Sequence, residues 1–132
     1  MIRPSSARPG AFAAAIGLLL VCVLPGTVRG GDVAAGKDAF RSECSECHSI
    51  SKGRNKKGPS LFGIVGRPAG SLPDYHYTDA LRTAHWTWTE DKLRSYLSQR
   101  AKTANPGTRM KFDGINDPQE LDDLISFLKT VR

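Results

Sequence analysis

The most regular apolar pattern in the chain is its last. Leu121, Leu124, Ile125 and Leu128 recur at i, i+3, i+4 and i+7, which places them on one face of a helix. Asp117 stands at the cap position, Pro118 at the first helical position and Glu120 three residues after the cap, while Lys129 and Arg132 lie where the helix dipole favours cations. A second helix is predicted from Thr89 as N-cap to Arg100, with Leu93, Tyr96 and Leu97 facing inward and Trp88 and Leu93 stapling its start; Thr87 and Glu90 offer a competing cap. A third opens at Asp32, puts Val33 and Phe40 two turns apart on one face and runs into Cys44. Gly36 inside it costs roughly 1 kcal/mol against alanine unless another element must approach closely there. Thr78–Arg82 suits one short helix. Residues 49–59 and 67–77 are rich in turn formers, Leu61–Gly66 is an apolar run punctuated by glycines, and residues 101–116 show no period. No strand pattern and no repeat appears, so the expected class is all-α.

The first thirty residues do not read as domain. Arg3 and Arg8 precede fourteen uncharged residues, Ala11–Leu24, too few for a spanning helix of about 20 residues but the length of a signal-peptide core. Pro25-Gly26 breaks the run, and Val28 and Gly30 suit cleavage before Gly31. The expected organisation is a cleavable signal peptide over 1–30 and one domain over 31–132, with an uncleaved anchor as the alternative. Cys22 follows Val21 rather than a small residue, which argues against lipidation. Cleavage removes Arg3, Arg8 and Arg29 and no acid, leaving 16 basic and 13 acidic side chains, about +3 instead of +6. Nucleic acid is an unsuitable partner at that charge.

Cys44 and Cys47 are then the only cysteines, and His48 follows directly. Cys-x-x-Cys-His is the pattern of covalent c-type haem attachment, because positions i, i+3 and i+4 of a helical turn face one way. Two sulfurs can bond the two vinyl groups while an imidazole meets the iron. The rival readings use less of the pattern. A redox dithiol wants a βαβ setting, a structural zinc wants a second ligand pair, and a plain disulfide leaves His48 without a role. Met110, the only methionine besides Met1, lies between Arg109 and Lys111 outside any apolar stripe. It is better placed to ligate iron than to fill a core, and His/Met ligation raises the reduction potential.

From Gly31 to Arg132 the chain resembles class I cytochrome c of the soluble bacterial and mitochondrial type, through GDVAAGKDAF, CSECH, KKGPSLFGIVGR, YHYTDA, TWTEDKLRSYL, NPGTRMKF and DLISFLK. The resemblance implies a cytochrome c fold in which N- and C-terminal helices cross, Gly36 against Phe127, with short helices and loops wrapping one haem c. It implies thioethers at Cys44 and Cys47, axial ligands His48 and Met110, and a Pro59 carbonyl accepting the His48 ring proton. It also implies a propionate held by Tyr77 and Trp88 near Arg67, with Tyr96 and Thr108 steadying the methionine side. The three aromatic residues would serve equally as core. Leu81 departs from the family, which often has a polar residue there. Relative to the mitochondrial proteins, the Tyr96–Met110 segment is one residue longer and the His48–Pro59 loop one shorter.

The function implied is a monomeric, periplasmic single-electron carrier, secreted across the inner membrane and meeting membrane complexes only transiently. Lys52, Arg54, Lys56, Lys57, Arg100, Lys102, Arg109 and Lys111 belong to loops expected around the haem edge, while Asp113, Asp117, Glu120, Asp122 and Asp123 cluster later. Such a basic ring would steer the protein to acidic docking surfaces on a bc-type complex, an oxidase, a photosynthetic reaction centre or a dehydrogenase. With both axial positions filled, no substrate site remains on iron and the chain is not an enzyme. The alternative is a haem enzyme or ligand-binding cytochrome in which Met110 is labile.

Overall fold

The structure, a computed structural model, describes Gly10 and residues 30–132, so the expected signal peptide falls, apart from Gly10 and Gly30, outside the described residues. Five helices follow in order: α1 (Val33–Ala39), α2 (Asp79–Arg82), α3 (Glu90–Leu97), α4 (Ala101–Ala104) and α5 (Pro118–Thr130), with α1 continued by a wider π turn over Phe40–Cys44. Among the described residues there is no strand, only an isolated bridge between Pro68 and Thr87. None of the described helices is long and apolar enough to cross a membrane.

The predicted caps form. Asp32 accepts from the Ala34 and Ala35 amides at 2.7 and 3.1 Å, Thr89 from Lys92 at 3.1 Å, and Asp117 from Gln119 at 2.8 Å. Each cap of this kind is worth about 1 kcal/mol. Thr89 thus prevails over Thr87 as the start of α3. The helix ends at Leu97, short of Arg100, and the chain then turns once more as α4 inside the segment that showed no period. That turn is held by packing: Ala101 is fully buried, and its amide donates to the Phe112 carbonyl at 2.9 Å.

The fold depends on the crossing of α1 and α5. A Cβ on Gly36 would lie 1.9 Å from the Asp123 carbonyl oxygen and 2.8 Å from the Phe127 Cβ, so the two backbones meet with no room for a side chain. Phe40 and Phe127 stack beside the contact with ring centroids 5.7 Å apart. Buried Asp123 fastens the start of α1, accepting from the Asp32 amide at 2.7 Å and from Gln119 Nε2 at 2.8 Å. Val33, expected on the buried face with Phe40, is instead 45 % exposed. Because the backbones touch at Gly36, the covered strip of α1 is narrow and consists of Gly36, Ala39 and Phe40. The core then runs from this crossing through Leu93 and Leu97 of α3 to Leu121, Leu124, Ile125 and Leu128 of α5. The ion pairs Arg94–Asp122 and Lys129–Glu90, both 2.8 Å, are surface features that add about 1 kcal/mol or less each.

Replacing Gly36 by alanine forces the helices apart, and overpacking of this kind costs about 1–3 kcal/mol. In urea unfolding of the haem-loaded protein, the Gly36→Ala midpoint should fall with an unchanged slope; an unmoved midpoint would mean that the crossing tolerates a methyl group.

Candidate functional site

A cavity of about 640 Å³ opens between the α1 end, the loops and the inner faces of α3 and α5. Its wall contains Cys44, Cys47, His48, Pro59, Arg67, Tyr77, Trp88, Tyr96, Thr108 and Met110 together, the ten residues singled out from the sequence. Leu61, Ile64, Leu81, Leu93, Leu97, Leu124 and Leu128 supply its apolar lining.

The cysteines arrive on the π turn. Ser45 N–H bonds the Phe40 carbonyl at 2.9 Å, five residues back, and this wider turn re-aims the chain as it leaves α1. The amides of Cys47 and His48 then both donate to the Cys44 carbonyl, at 3.1 and 2.9 Å, closing the turn that brings Cys44, Cys47 and His48 to one cavity. Both thiols are free and half-buried, so no disulfide joins them. Burial, reinforced by the Glu43 charge and by Cys47, pushes the Cys44 thiol up to about 12 and keeps it neutral. Among the described residues no three His, Cys, Asp or Glu side chains gather as a metal-ion site, which leaves the zinc reading without its remaining ligands.

His48 is oriented from behind. Its Nδ1 lies 2.8 Å from the Pro59 carbonyl oxygen, which can only accept, so Nδ1 carries the proton and Nε2 keeps a free lone pair. Burial lowers the imidazole pKa, with the Pro59 bond opposing and the Arg67 and Lys56 charges adding to the fall, so the ring is held neutral. Gly58 makes this geometry possible: a Cβ there would stand 2.4 Å from the ring Cε1. This glycine is a site residue that the sequence reading treated as a turn former.

The opposite requirement, an anion, is written in at Arg67. Arg67 is half-buried and spends two nitrogens on the carbonyls of Phe62 and Ser60, at 3.0 and 2.9 Å. Burial lowers its pKa, and Tyr77 opposes that fall; Arg67 forms none of the ion pairs among the described residues. A half-buried cation with no acidic partner calls for an anion from a bound group. Thr78, which also lines the cavity, has a buried Oγ1 with no hydrogen-bond partner. The sequence reading made Thr78 only the start of α2, but its side chain caps nothing there, and this missing cap bond is the sign of its other use. The Gly66–Ala69 strap runs beside residues 86–88 through bonds of 2.8–2.9 Å and sets Arg67 next to Trp88. A large apolar hollow with two free thiols, a neutral imidazole and an unpaired arginine fits a flat apolar cofactor bearing carboxylates.

Around Met110 the wall is polar. Its amide donates to Thr108 Oγ1 at 3.2 Å, and Tyr96 packs edge-on against Trp88 with centroids 5.0 Å apart. Burial lifts the Tyr96 phenol above its ordinary range, and the Thr108 and Asn105 side chains beside it pull it partly back. Half-buried Met110 also lines a smaller hollow of about 310 Å³ with Arg100, Lys102, Lys111, Phe112 and Asp113.

The expected basic ring is more broken than the sequence suggested. Lys57 pairs with Glu46 at 2.6 Å and Arg100 with Asp113 at 3.5 Å, Arg109 donates to the His76 carbonyl, and acidic Glu43 and Glu46 share the cavity wall. Lys102 and Lys111 are exposed and form no ion pair among the described residues.

The Cytochrome c family model matches residues 33–132. Cytochrome c2 of Agrobacterium tumefaciens (strain II Chrys) is 48 % identical over 102 residues, covering 74 % of this chain and 90 % of that protein. Cytochrome c2 of Rhodopila globiformis is 42 % identical over 107 residues, covering 81 % of this chain and all 100 % of that one. Among solved structures, cytochrome cH from Methylobacterium extorquens superposes with a TM-score of 0.70 at 42 % identity, over 76 % of this chain and 99 % of that chain. With a cavity that fits the group and this likeness along its helical domain, the chain belongs to the class I cytochrome c family, all-α electron carriers that hold a covalently attached haem c.

Proposed function

We propose that the chain is a periplasmic single-electron carrier in which Cys44 and Cys47 bear the haem thioethers and His48 and Met110 fill the two axial positions. The observation that carries this reading is the convergence of the ten residues on one cavity. The haem supplies a one-electron ferric/ferrous couple. The chain's own groups decide how that couple is held. Pro59 fixes the imidazole with Nε2 as the ligating nitrogen, and Gly58 lets the backbone close over the ring. Arg67, Tyr77, Trp88 and Thr78 neutralise and bind the propionates, and the apolar wall keeps water from the iron. The Met110 thioether, a soft donor, favours the ferrous state and raises the potential. With no open axial position, the chain works as a carrier and not as an enzyme.

The leader over residues 1–30 would deliver the domain across the inner membrane and be removed before Gly31. Gly31 already belongs to the fold, since a Cβ there would meet the Asp122 carbonyl oxygen at 2.2 Å. Partners are redox proteins with acidic docking surfaces: a bc-type complex, an oxidase, a reaction centre or a dehydrogenase. They would meet the monomer briefly at the rim where Lys102, Arg109 and Lys111 stand. A second reading, a ligand-binding or peroxidatic cytochrome with labile Met110, is favoured by one feature: Met110 is reached from both hollows.

Three outcomes test these statements. Ferric protein should show the far-red sulfur-to-iron band and resist cyanide at neutral pH, and Met110→Ala should lose the band and lower the potential; prompt cyanide binding by the unaltered protein would favour the second reading. Lys102→Glu with Lys111→Glu should slow electron transfer several-fold at low salt and little at high salt, and equal slowing at every ionic strength would refute steering. Mass spectrometry of the protein from its native host should find a chain beginning at Gly31, whereas an intact Met1 would make it a tethered subunit.

A further inference from the structure

Ser60 is 2 % exposed, and its polar groups are all engaged. Its hydroxyl donates to the Ser51 carbonyl at 2.7 Å, its carbonyl accepts from Arg67 at 2.9 Å, and its amide donates to Asn55 Oδ1 at 2.9 Å. The last of these bonds bears on the iron, because the Ser60 N–H and the Pro59 carbonyl are the two ends of one planar peptide unit. That carbonyl oxygen lies 2.8 Å from His48 Nδ1. Asn55 therefore stands on the opposite side of the peptide that orients the imidazole. Its own amide can point only one way. A backbone N–H can only donate, so Oδ1 faces Ser60, and Nδ2 is left to donate to the Asp74 carbonyl and to Asp74 Oδ2, both at 3.2 Å. Asp74 is exposed on the 67–77 loop and forms none of the ion pairs among the described residues.

The contacts line up as one chain of hydrogen bonds, from the Asp74 carboxylate through the Asn55 amide and the Pro59–Ser60 peptide to the His48 ring. In such a chain each unit polarises the next, strengthening each bond by about 10–30 %. The carboxylate draws the Asn55 amide toward its dipolar form and leaves Oδ1 more negative; Oδ1 pulls on the Ser60 N–H and leaves the Pro59 oxygen more negative in turn. We propose that Asn55 is a positioning residue that passes the Asp74 charge through the Pro59–Ser60 peptide to the Nδ1 proton of His48, making the imidazole a stronger donor to iron. A stronger donor favours the ferric state, so this relay holds the potential down while the Met110 thioether on the other face pushes it up. Buried Ser60 has no other acceptor for its amide, and leaving that N–H unsatisfied costs about 1–3 kcal/mol, which keeps Asn55 in place. Closing the two loops is not its task alone, since the Tyr75 hydroxyl also joins them by donating to the Lys57 carbonyl at 2.8 Å. This inference rests on His48 as an axial ligand.

The test uses the haem-loaded protein with histidine isotopically labelled at its ring nitrogens, in the ferrous state, and follows the His48 Nδ1 proton by magnetic resonance. Asn55→Ala removes the acceptor behind the peptide: the proton should move upfield and the reduction potential should rise, with the far-red band retained in the ferric form. Asn55→Asp combined with Asp74→Ala breaks the link between the loops but keeps a charged acceptor on Ser60, so the proton should move downfield and the potential should fall. An unmoved Nδ1 proton in Asn55→Ala overturns the proposal. So does an equal upfield move in both proteins, because loop closure alone would then account for the effect. Should Asn55→Ala fail to load haem, exposed Asp74→Ala decides: a smaller upfield move supports the relay, and none overturns it. If the His48 ring protons of the unaltered protein carry no haem ring-current shift, it is the axial assignment of His48 that fails, and the Nδ1 proton still reports whether Asn55 acts on its hydrogen bond.

Discussion

Everything else in this fold hangs on two backbones meeting at Gly36. Without a side chain there, α1 lies directly on the Asp123 carbonyl of α5, and the Asp123 carboxylate reaches across to hold the amide of Asp32, the cap of α1. The crossing fixes the end of α1, and the end of α1 is the π turn that presents Cys44, Cys47 and His48. A chain with about 100 residues in its domain has a marginal core of its own, and here the remaining loops close around a hollow rather than around more side chains. The cofactor of the family is therefore a packing element as well as the redox centre.

The site divides into two electrostatic halves with different tasks. Around His48 the wall removes charge: burial keeps the Cys44 thiol and the imidazole neutral, and Pro59 fixes which nitrogen is free. Around Arg67 the wall leaves a cation short of an anion, and the Thr78 hydroxyl in the cavity lining is left without a partner. A ligand with an apolar plane and carboxylate tails satisfies both halves at once. The methionine side is a third environment, where Tyr96 of α3 and Thr108, at the end of the Asn105–Thr108 turn, line the cavity with Met110. Met110, Lys111 and Phe112 are shared there between two hollows.

Elements whose stability is local were legible in the sequence. The α5 pattern, its Asp117 cap and Pro118 start appear as read, and so do the Thr89 cap and the inward face of α3. The anomalous Gly36 pointed to a close crossing before any partner was known. What escaped notice depends on tertiary contact. The single turn of α4 has no period to read because the burial of Ala101 holds it in place. Gly58 and Thr78 look like turn and cap residues, and only the His48 ring above one and the missing cap bond of the other show their use. Val33 satisfied helical spacing but lies outside the narrow strip that a backbone-to-backbone contact covers. Counting charges in the loops likewise overstated the basic ring, because Glu46 and Asp113 pair with two of its members.

The redox character of this site is set by what meets the iron on each side. X-ray absorption fine structure at the iron edge of the purified haem-loaded protein reads this directly. Ligation by His48 and Met110 predicts one thioether sulfur in the iron shell with nitrogens for the remainder, in both oxidation states. A shell of nitrogen and oxygen alone, in either state at neutral pH, would contradict it.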